Sequence, residues 1–251
     1  MSQGTWNGAG QLTAYDNTAA NMTAGAYDGN GLRASTTITP SGGSALTQGY
    51  VWSTGPAVPE LIMDGTNAHI YDAARVPAEQ VNISTGTISY LVADAIGSVR
   101  GAVNSSGSLT GTMSYDAWGN PARTGGLTAT SPFGFAGGYT DPDGLIYLIN
   151  RYLQPSTGQF ISVDPAISQT LQPYAYTGGN PVSNSDPTGM GQWISFGRWL
   201  TLPICIGAGW WMVKHPYFKY FFCQPVWMGW SFFKLIMWRL WLYWVIMVGR
   251  L

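Results

Sequence analysis

The reading of the chain turns on Asn150-Arg151-Tyr152-Leu153-Gln154-Pro155-Ser156-Thr157-Gly158-Gln159-Phe160-Ile161-Ser162-Val163-Asp164-Pro165. A short variable run follows. Then comes Tyr174-Ala175-Tyr176-Thr177-Gly178-Gly179-Asn180-Pro181-Val182-Ser183-Asn184-Ser185-Asp186-Pro187-Thr188-Gly189-Met190-Gly191. Glycine, proline, asparagine and aspartate punctuate short apolar and aromatic runs, which reads as brief strands joined by tight turns. Upstream of this stretch the chain has the same character. Downstream it is apolar nearly all round. The stretch is therefore both the end of a β-rich body and the joint to a different segment.

Charge divides at the same place. Residues 1–190 carry five basic and twelve acidic side chains; residues 191–251 carry six basic ones (Arg198, Lys214, Lys219, Lys234, Arg239, Arg250) and no acidic one. A net charge of −1 over the whole chain hides this split, which argues for two segments with different tasks. With 251 residues the chain can hold one or two domains with a real core. Cys205 and Cys223 both lie after the joint and lack the Cys-x-x-Cys spacing of a metal or redox site, so no cofactor or metal is expected. His69 and His215 sit in different segments and suggest no catalytic or metal cluster. Nuclease and deaminase signatures are missing: there is no His-x-Glu with Cys-x-x-Cys, and no glycine-rich phosphate loop. Nucleic acid is accordingly not an expected partner. No basic region followed by an apolar run opens the sequence, so no signal peptide is read; export by another route, or a place at the end of a longer chain, is expected.

Within the body, Tyr15-Asp16-Asn17, Tyr27-Asp28-Gly29-Asn30-Gly31 and Tyr115-Asp116-Ala117-Trp118-Gly119-Asn120 repeat one theme, with the aspartates read as turn residues. Strands are expected near Thr36–Thr39, Gly49–Trp52, Leu61–Met63 and Thr87–Val92, and from Ile146 through Leu153. Asn104-Ser105-Ser106-Gly107 reads as a turn, after which Leu109, Met113 and Tyr115 alternate on one face. Phe133-Gly134-Phe135-Ala136-Gly137-Gly138-Tyr139 suggests a strand whose rings cover neighbouring backbone. Asp141-Pro142-Asp143-Gly144 reads as a turn. Strand–turn–strand units of this size cannot bury a face alone and must stack or curl together.

The tail holds nine of the twelve tryptophans. Trp193–Val213 and Ser231–Val248 are each about long enough to cross a bilayer as a helix, the first kinked at Pro203. Three readings stay open. The tail is a membrane-active effector, with lipid as a partner through residues 193–248, or apolar cargo enclosed by the body, or the product of a shifted reading frame.

Several ordered phrases share one precedent. They are Asp94-Ala95-Ile96-Gly97-Ser98-Val99-Arg100, Tyr115-Asp116 with Gly119-Asn120, Phe133-Gly134-Phe135-Ala136-Gly137, and Arg151-Tyr152 with Gly158-Gln159-Phe160. Ser162-Val163-Asp164-Pro165, Tyr174-Ala175-Tyr176, Gly179-Asn180-Pro181 and Asp186-Pro187 complete the set. From about Tyr71 to Met190 the chain resembles the RHS/YD-repeat associated core of bacterial polymorphic toxins. The resemblance implies a mainly β fold: a curling antiparallel β-sheet shell, here followed by a hydrophobic tail expected to be helical. It divides the chain into degenerate repeats (1–70), the core with its cleavage motif (71–190) and a variable tail (191–251). It implies a secreted or cell-surface bacterial protein whose shell encloses its own C-terminal segment as cargo, with an immunity protein as a further partner. It also implies an intramolecular aspartyl-type protease acting once, after a Pro-x-x-x-x-Asp-Pro-x-Gly-Leu-like motif. Pro181, Asp186, Pro187 and Gly189 fit that motif, Met190 replaces its leucine in a pocket expected to accept either, and the scissile bond is Met190–Gly191. Leu153-Gln154 stands where the family has Tyr-Asp, which removes a carboxylate near Arg151.

The chemistry asks for two neighbouring carboxylates, one ionised to activate water and one protonated to serve the amide. Asp164 and Asp186 are the candidates. Arg151 is expected to orient one of them bidentately, and Gly189 and Gly191 to open the backbone beside the bond. The competing reading is a non-catalytic surface repeat protein anchored by its tail, in which both Asp-Pro pairs are simply turns.

Overall fold

The computed structural model of the protein describes residues 3–17, 20–191 and 193–194. Four antiparallel sheets follow one another along the chain, with hydrogen-bonded neighbours in sequence order throughout. The first comprises β1 (Gln3–Trp6), β2 (Leu12–Asp16), β3 (Ala20–Tyr27), β4 (Arg33–Pro40) and β5 (Leu46–Gly49). The second comprises β6 (Val51–Ser53), β7 (Glu60–Met63), β8 (Asn67–Tyr71), β9 (Pro77–Asn82), β10 (Ile88–Ala93), β11 (Val99–Asn104), β12 (Leu109–Tyr115) and β13 (Pro121–Gly125). A small third sheet holds β14 (Tyr139–Thr140), β15 (Ile146–Leu148), β16 (Arg151–Gln154) and β17 (Gln159–Phe160). Last come β18 (Asn184–Ser185) and β19 (Trp193–Ile194). The break between the first two sheets falls between Gly49 and Val51, and residue 70 lies inside β8.

One turn explains the meander. Asp28 Oδ1 accepts the N–H groups of Asn30 and Leu32, both at 2.9 Å. Asp116 Oδ1 does the same for Trp118 (2.8 Å) and Asn120 (2.9 Å), and Asp94 and Asn104 repeat the pattern. The third residue after the aspartate takes a positive φ, +80° at Gly31 and +92° at Gly119, which glycine adopts at little cost. A further unit, Tyr71-Asp72, escapes the sequence reading because Arg75, at φ +60°, stands where the others have glycine. Asp16 departs from the turn reading; it closes β2, paired with Gln3.

Three expectations fail for local reasons. Ile146–Leu153 is a hairpin and not one strand, because Ile149 turns to φ +65° and β15 pairs back onto β16. Phe133–Tyr139 is a single bridge followed by a 3-10 turn at Phe135–Gly137, held by Ser98 Oγ accepting the Ala136 N–H at 2.9 Å. Leu109 does not share the inner face with Met113. The register slips between Ala102 and Val103, making Thr110 an extra residue that turns Leu109 outward, 64% exposed.

The core joins the sheets. Leu12, Met22 and Ile38 from the first pack in one buried cluster with Leu61, Leu91, Val99, Ala102 and Met113 from the second. Tyr147 and Tyr152 enter that cluster from one face of the β15–β16 hairpin. From its other face Ile146, Leu148 and Leu153 join Phe135, Phe160 and Tyr176 in a second cluster. The hairpin is thus covered on both sides, which fixes the position of the residue beginning β16, Arg151.

Residues 195–251 lie outside the described residues, and with them most of the expected helical tail and of both candidate membrane spans; Trp193 and Ile194, which open the first span, form β19 and not a helix. Among the described residues no helix is long and apolar enough to cross a membrane.

Candidate functional site

Arg151 pairs with Leu148 across the hairpin turn and points, like Leu148, toward the second cluster. It is 2% exposed, and its guanidinium carbon lies 3.7 Å from the centroid of the Phe160 ring. Stacking on an aromatic face leaves the planar edge of the guanidinium free for acceptors. Three acceptors converge there. Nε donates to the Gly189 carbonyl, Nη2 to Asp186 Oδ2 at 3.4 Å, and Nη1 lies 3.7 Å from Asp164 Oδ2. One buried cation therefore bridges two buried carboxylates. The expected bidentate grip on a single carboxylate is replaced by one contact to each, because the two aspartates arrive from different turns.

Both turns follow from Asp-Pro chemistry. Asp164 Oδ1 accepts the Ala166 N–H at 2.8 Å, and the Asp164 carbonyl accepts the Ile167 N–H at 3.0 Å. Oδ2 accepts the Thr170 hydroxyl at 2.8 Å. In the second turn the Asp186 carbonyl accepts the Gly189 N–H at 3.3 Å, with Pro187 at the position whose φ it pre-sets. Asp186 Oδ1 accepts the Met190 N–H at 3.2 Å, and Oδ2 accepts the Gly191 N–H at 3.1 Å. Thr188 Oγ donates to Oδ1 at 3.3 Å. Burial pushes the Asp186 carboxyl above the ordinary carboxylate range, against these donors and Arg151, which pull it down. Burial likewise pulls the Arg151 guanidinium down, and the two carboxylates push it back up.

Gly189 is required sterically. At φ +66°, an added Cβ would lie 2.6 Å from the Leu148 carbonyl oxygen and 3.0 Å from the Arg151 nitrogen. Gly189→Ala is expected to destabilise the fold by about 2 kcal/mol or more, through forbidden φ and backbone overlap. Urea unfolding monitored by tryptophan fluorescence measures it. At Gly191, by contrast, no atom of the described residues lies within 4 Å of where a Cβ would be. Met190 is 42% exposed. A partly exposed position makes little demand on side-chain shape, so leucine and methionine are compatible here.

The missing Tyr-Asp after Arg151-Tyr152 leaves no gap. Leu153 is 0% exposed in the second cluster, and Arg151 is already shared between Asp164 and Asp186. Pro181 is buried and Pro187 half-buried. Asn150, Phe160, Thr170 and Thr188 also belong to the site. Phe160 belongs to one of the quoted phrases and Thr188 stands at the unspecified position of the motif; Thr170 sits in the variable run. His69 lies elsewhere, buried 3.2 Å from Asp64, and Asp141 forms a buried ion pair with Arg33 in addition to its turn. Among the described residues no three His, Cys, Asp or Glu side chains gather as a metal site.

Comparison with known proteins agrees with this architecture. The tRNA3(Ser)-specific nuclease WapA of Bacillus spizizenii is 38% identical over 109 residues, which span 40% of this chain and 5% of that protein. The double-stranded DNA deaminase toxin A of Burkholderia cenocepacia is 28% identical over 169 residues, 58% of this chain and 12% of that protein. The crystal structure of TcdB2-TccC3-Cdc42 superposes with a TM-score of 0.61 at 23% identity, covering 75% of this chain and 10% of that one. That likeness is one of fold, a mainly β, curled antiparallel shell. The chain thus spans a small fraction of each relative's length. The Teneurin YD-shell family matches residues 5–182, on the same meander of aspartate-closed turns, and the chain belongs to that family.

Proposed function

We propose that this chain is the C-terminal part of an RHS-type toxin shell that cuts itself once, between Met190 and Gly191. The observation that carries the reading is the Gly191 N–H resting on Asp186 Oδ2 at 3.1 Å while Arg151 links that same oxygen to Asp164. Asp164, held by Thr170 and the Ala166 N–H, acts as the ionised base and takes a proton from water. The resulting hydroxide adds to the Met190 carbonyl carbon. Once the tetrahedral carbon has formed, the Gly191 nitrogen is pyramidal and basic, and Asp186, which accepts its N–H in the resting chain and whose burial favours the protonated form, gives it a proton as the C–N bond breaks. The new carboxyl group of Met190 returns a proton to Asp186 and Asp164 releases the one it took to solvent, so Met190 ends in a carboxylate, Gly191 begins with an amine and both aspartates regain their starting states. Because the bond belongs to the same chain, proximity needs no substrate binding.

The freed segment, 191–251, is the cargo, and its six cations and nine tryptophans make it the effector. The nuclease and deaminase activities in the relatives' names belong to those proteins; they support the class of architecture, a shell carrying a variable C-terminal effector, secreted or exposed at the cell surface. Lipid through residues 193–248 and an immunity protein are the partners that follow.

Intact mass of the purified full chain tests the reading. Two fragments, 1–190 and 191–251, are expected. A single uncut chain after prolonged incubation between pH 4 and 8 overturns self-cleavage and leaves a non-catalytic shell.

A further inference from the structure

The residues around the scissile bond are held by their main chain. The Thr188 carbonyl accepts two hydrogen bonds from Asn150, one from its N–H at 3.2 Å and one from Nδ2 at 2.9 Å. The Gly189 carbonyl accepts Arg151 Nε. The Met190 and Gly191 N–H groups rest on the two oxygens of Asp186, at 3.2 and 3.1 Å. Among the described residues side chains contribute less: Met190 is 42% exposed, and no atom lies within 4 Å of where a Gly191 Cβ would be. Beyond the bond, β19 pairs with β18, Trp193 with Ser185 and Ile194 with Asn184. The candidate scissile bond therefore lies in a loop pinned at both ends through backbone groups.

We infer that the cut position is measured along the main chain by the β15–β16 turn, with Asn150 as its positioning residue. The inference rests on the self-cleavage proposed above. Ile149 is a β-branched residue at φ +65°, a conformation such residues rarely adopt. That turn places Asn150 and Arg151 side by side against the successive carbonyls of Thr188 and Gly189. A strained turn retained beside a reactive bond is how a fold stores positional information. The arrangement reads residues three and two before the cut through their carbonyls and leaves the residue at the cut unread. The motif's large apolar side chain is then a bystander to the chemistry.

Full-length chains carrying Met190→Ala, Met190→Gln, Asn150→Ala or Asn150→Asp separate the possibilities. Cleavage is followed by intact mass over time and from pH 4 to 8. The two Met190 variants are expected to cut between residues 190 and 191 within about twofold of the wild-type rate. Asn150→Ala removes one donor and is expected to slow the cut about five- to tenfold. Asn150→Asp keeps the side-chain shape but sets a carboxylate against the Thr188 carbonyl oxygen, and is expected to slow the cut at least as much near neutral pH and less as the new carboxyl takes up a proton. Both are expected to add cuts at neighbouring bonds, and Asn150→Ala, which brings in no titratable group, to leave the pH profile in place, since Asn150 touches neither carboxylate. Asn150 is exposed, so these variants fold, and circular dichroism checks it. A folded Asn150→Ala chain that cuts at the wild-type rate and single site overturns the inference alone, as does a folded Met190→Ala chain that stays whole. A wild-type chain that stays whole overturns the self-cleavage reading and this inference with it.

Discussion

The full chain carrying Asp186→Asn is expected to remain a single polypeptide under conditions in which the wild type separates into two. Loss of the carboxyl group that meets the Gly191 nitrogen removes the proton donor for the leaving amine, and general acid catalysis of this kind contributes about 10²- to 10⁴-fold. Asp164→Asn is expected to act as strongly by removing the base, whereas Thr170→Val, which only loosens Asp164, should leave a slow cut. The amide at 186 keeps the volume and one acceptor oxygen, so the β-turn from Asp186 to Gly189 persists. Stability moves in the other direction. Burial raises the Asp186 carboxyl above its unfolded value. The stability associated with that group is therefore full below the unfolded value and lost as pH rises through the folded one. Asparagine escapes that loss. The variant's melting temperature relative to wild type should accordingly rise between pH 4 and pH 8, while cleavage is abolished across the same range. A variant that still cuts at the wild-type rate would remove Asp186 from the chemistry and leave it a turn residue.

The opposite pulls on Asp186 explain how a site like this is partly legible in sequence. Aspartate before proline with glycine two residues later is a turn signature on its own. Nothing in one such phrase says whether the carboxylate faces solvent or a guanidinium. The ordered phrases from Arg151 to Asp186 brought the three charged residues to notice, and they do lie together. What stayed hidden depends on backbone conformation or on long-range packing. Ile149 and Asn150 sit in an apolar run that reads as one strand, and no local rule places a β-branched residue at positive φ. Phe160 as the platform for Arg151 needs the pairing of β16 with β17. Thr170 sits in the stretch with no recognisable pattern, although its hydroxyl holds Asp164. Turn chemistry was the most legible level: each Asp or Asn with glycine three residues on closed a hairpin, and the miss at Asp72 came from an arginine in the glycine's place. The bulge at Thr110 shows why periodicity alone misplaces a face, since a one-residue slip inverts every side chain beyond it.

The other large effect lies away from the cleavage motif, at a pair no sequence window could join. Arg33 and Asp141 are 108 residues apart, yet Nη1 donates to Asp141 Oδ2 at 2.5 Å with both side chains fully buried. The guanidinium carbon lies 4.2 Å from the Tyr50 ring centroid and 4.3 Å from that of Tyr147. The Arg33 carbonyl accepts Trp52 Nε1 at 2.7 Å. This cluster ties β4 of the first sheet to the turn that starts β15, and so holds the hairpin carrying Arg151. One cation faces two carboxylates: burial raises Asp141 despite Arg33, and burial together with Asp141 pushes Asp143 up to about 7. Arg33→Met is expected to cost about 3–5 kcal/mol at pH 8, the usual penalty for stranding a buried charge. It should cost less at pH 5, where the stranded carboxylates take up protons. Asp143→Asn should do the reverse. Its folded value lies above its unfolded one, so the group's stabilising contribution is full below about pH 4 and lost as pH rises through about 7. The amide is therefore expected to stabilise the protein by about 1–3 kcal/mol at pH 8 and to change little at pH 4. Combined with Arg33→Met it should recover part of the loss. Urea denaturation of the two single variants and the double at both pH values measures all of this. If Arg33→Met costs the same at pH 5 as at pH 8, the cation holds the hairpin by packing against its tyrosines and not by balancing the buried carboxylates.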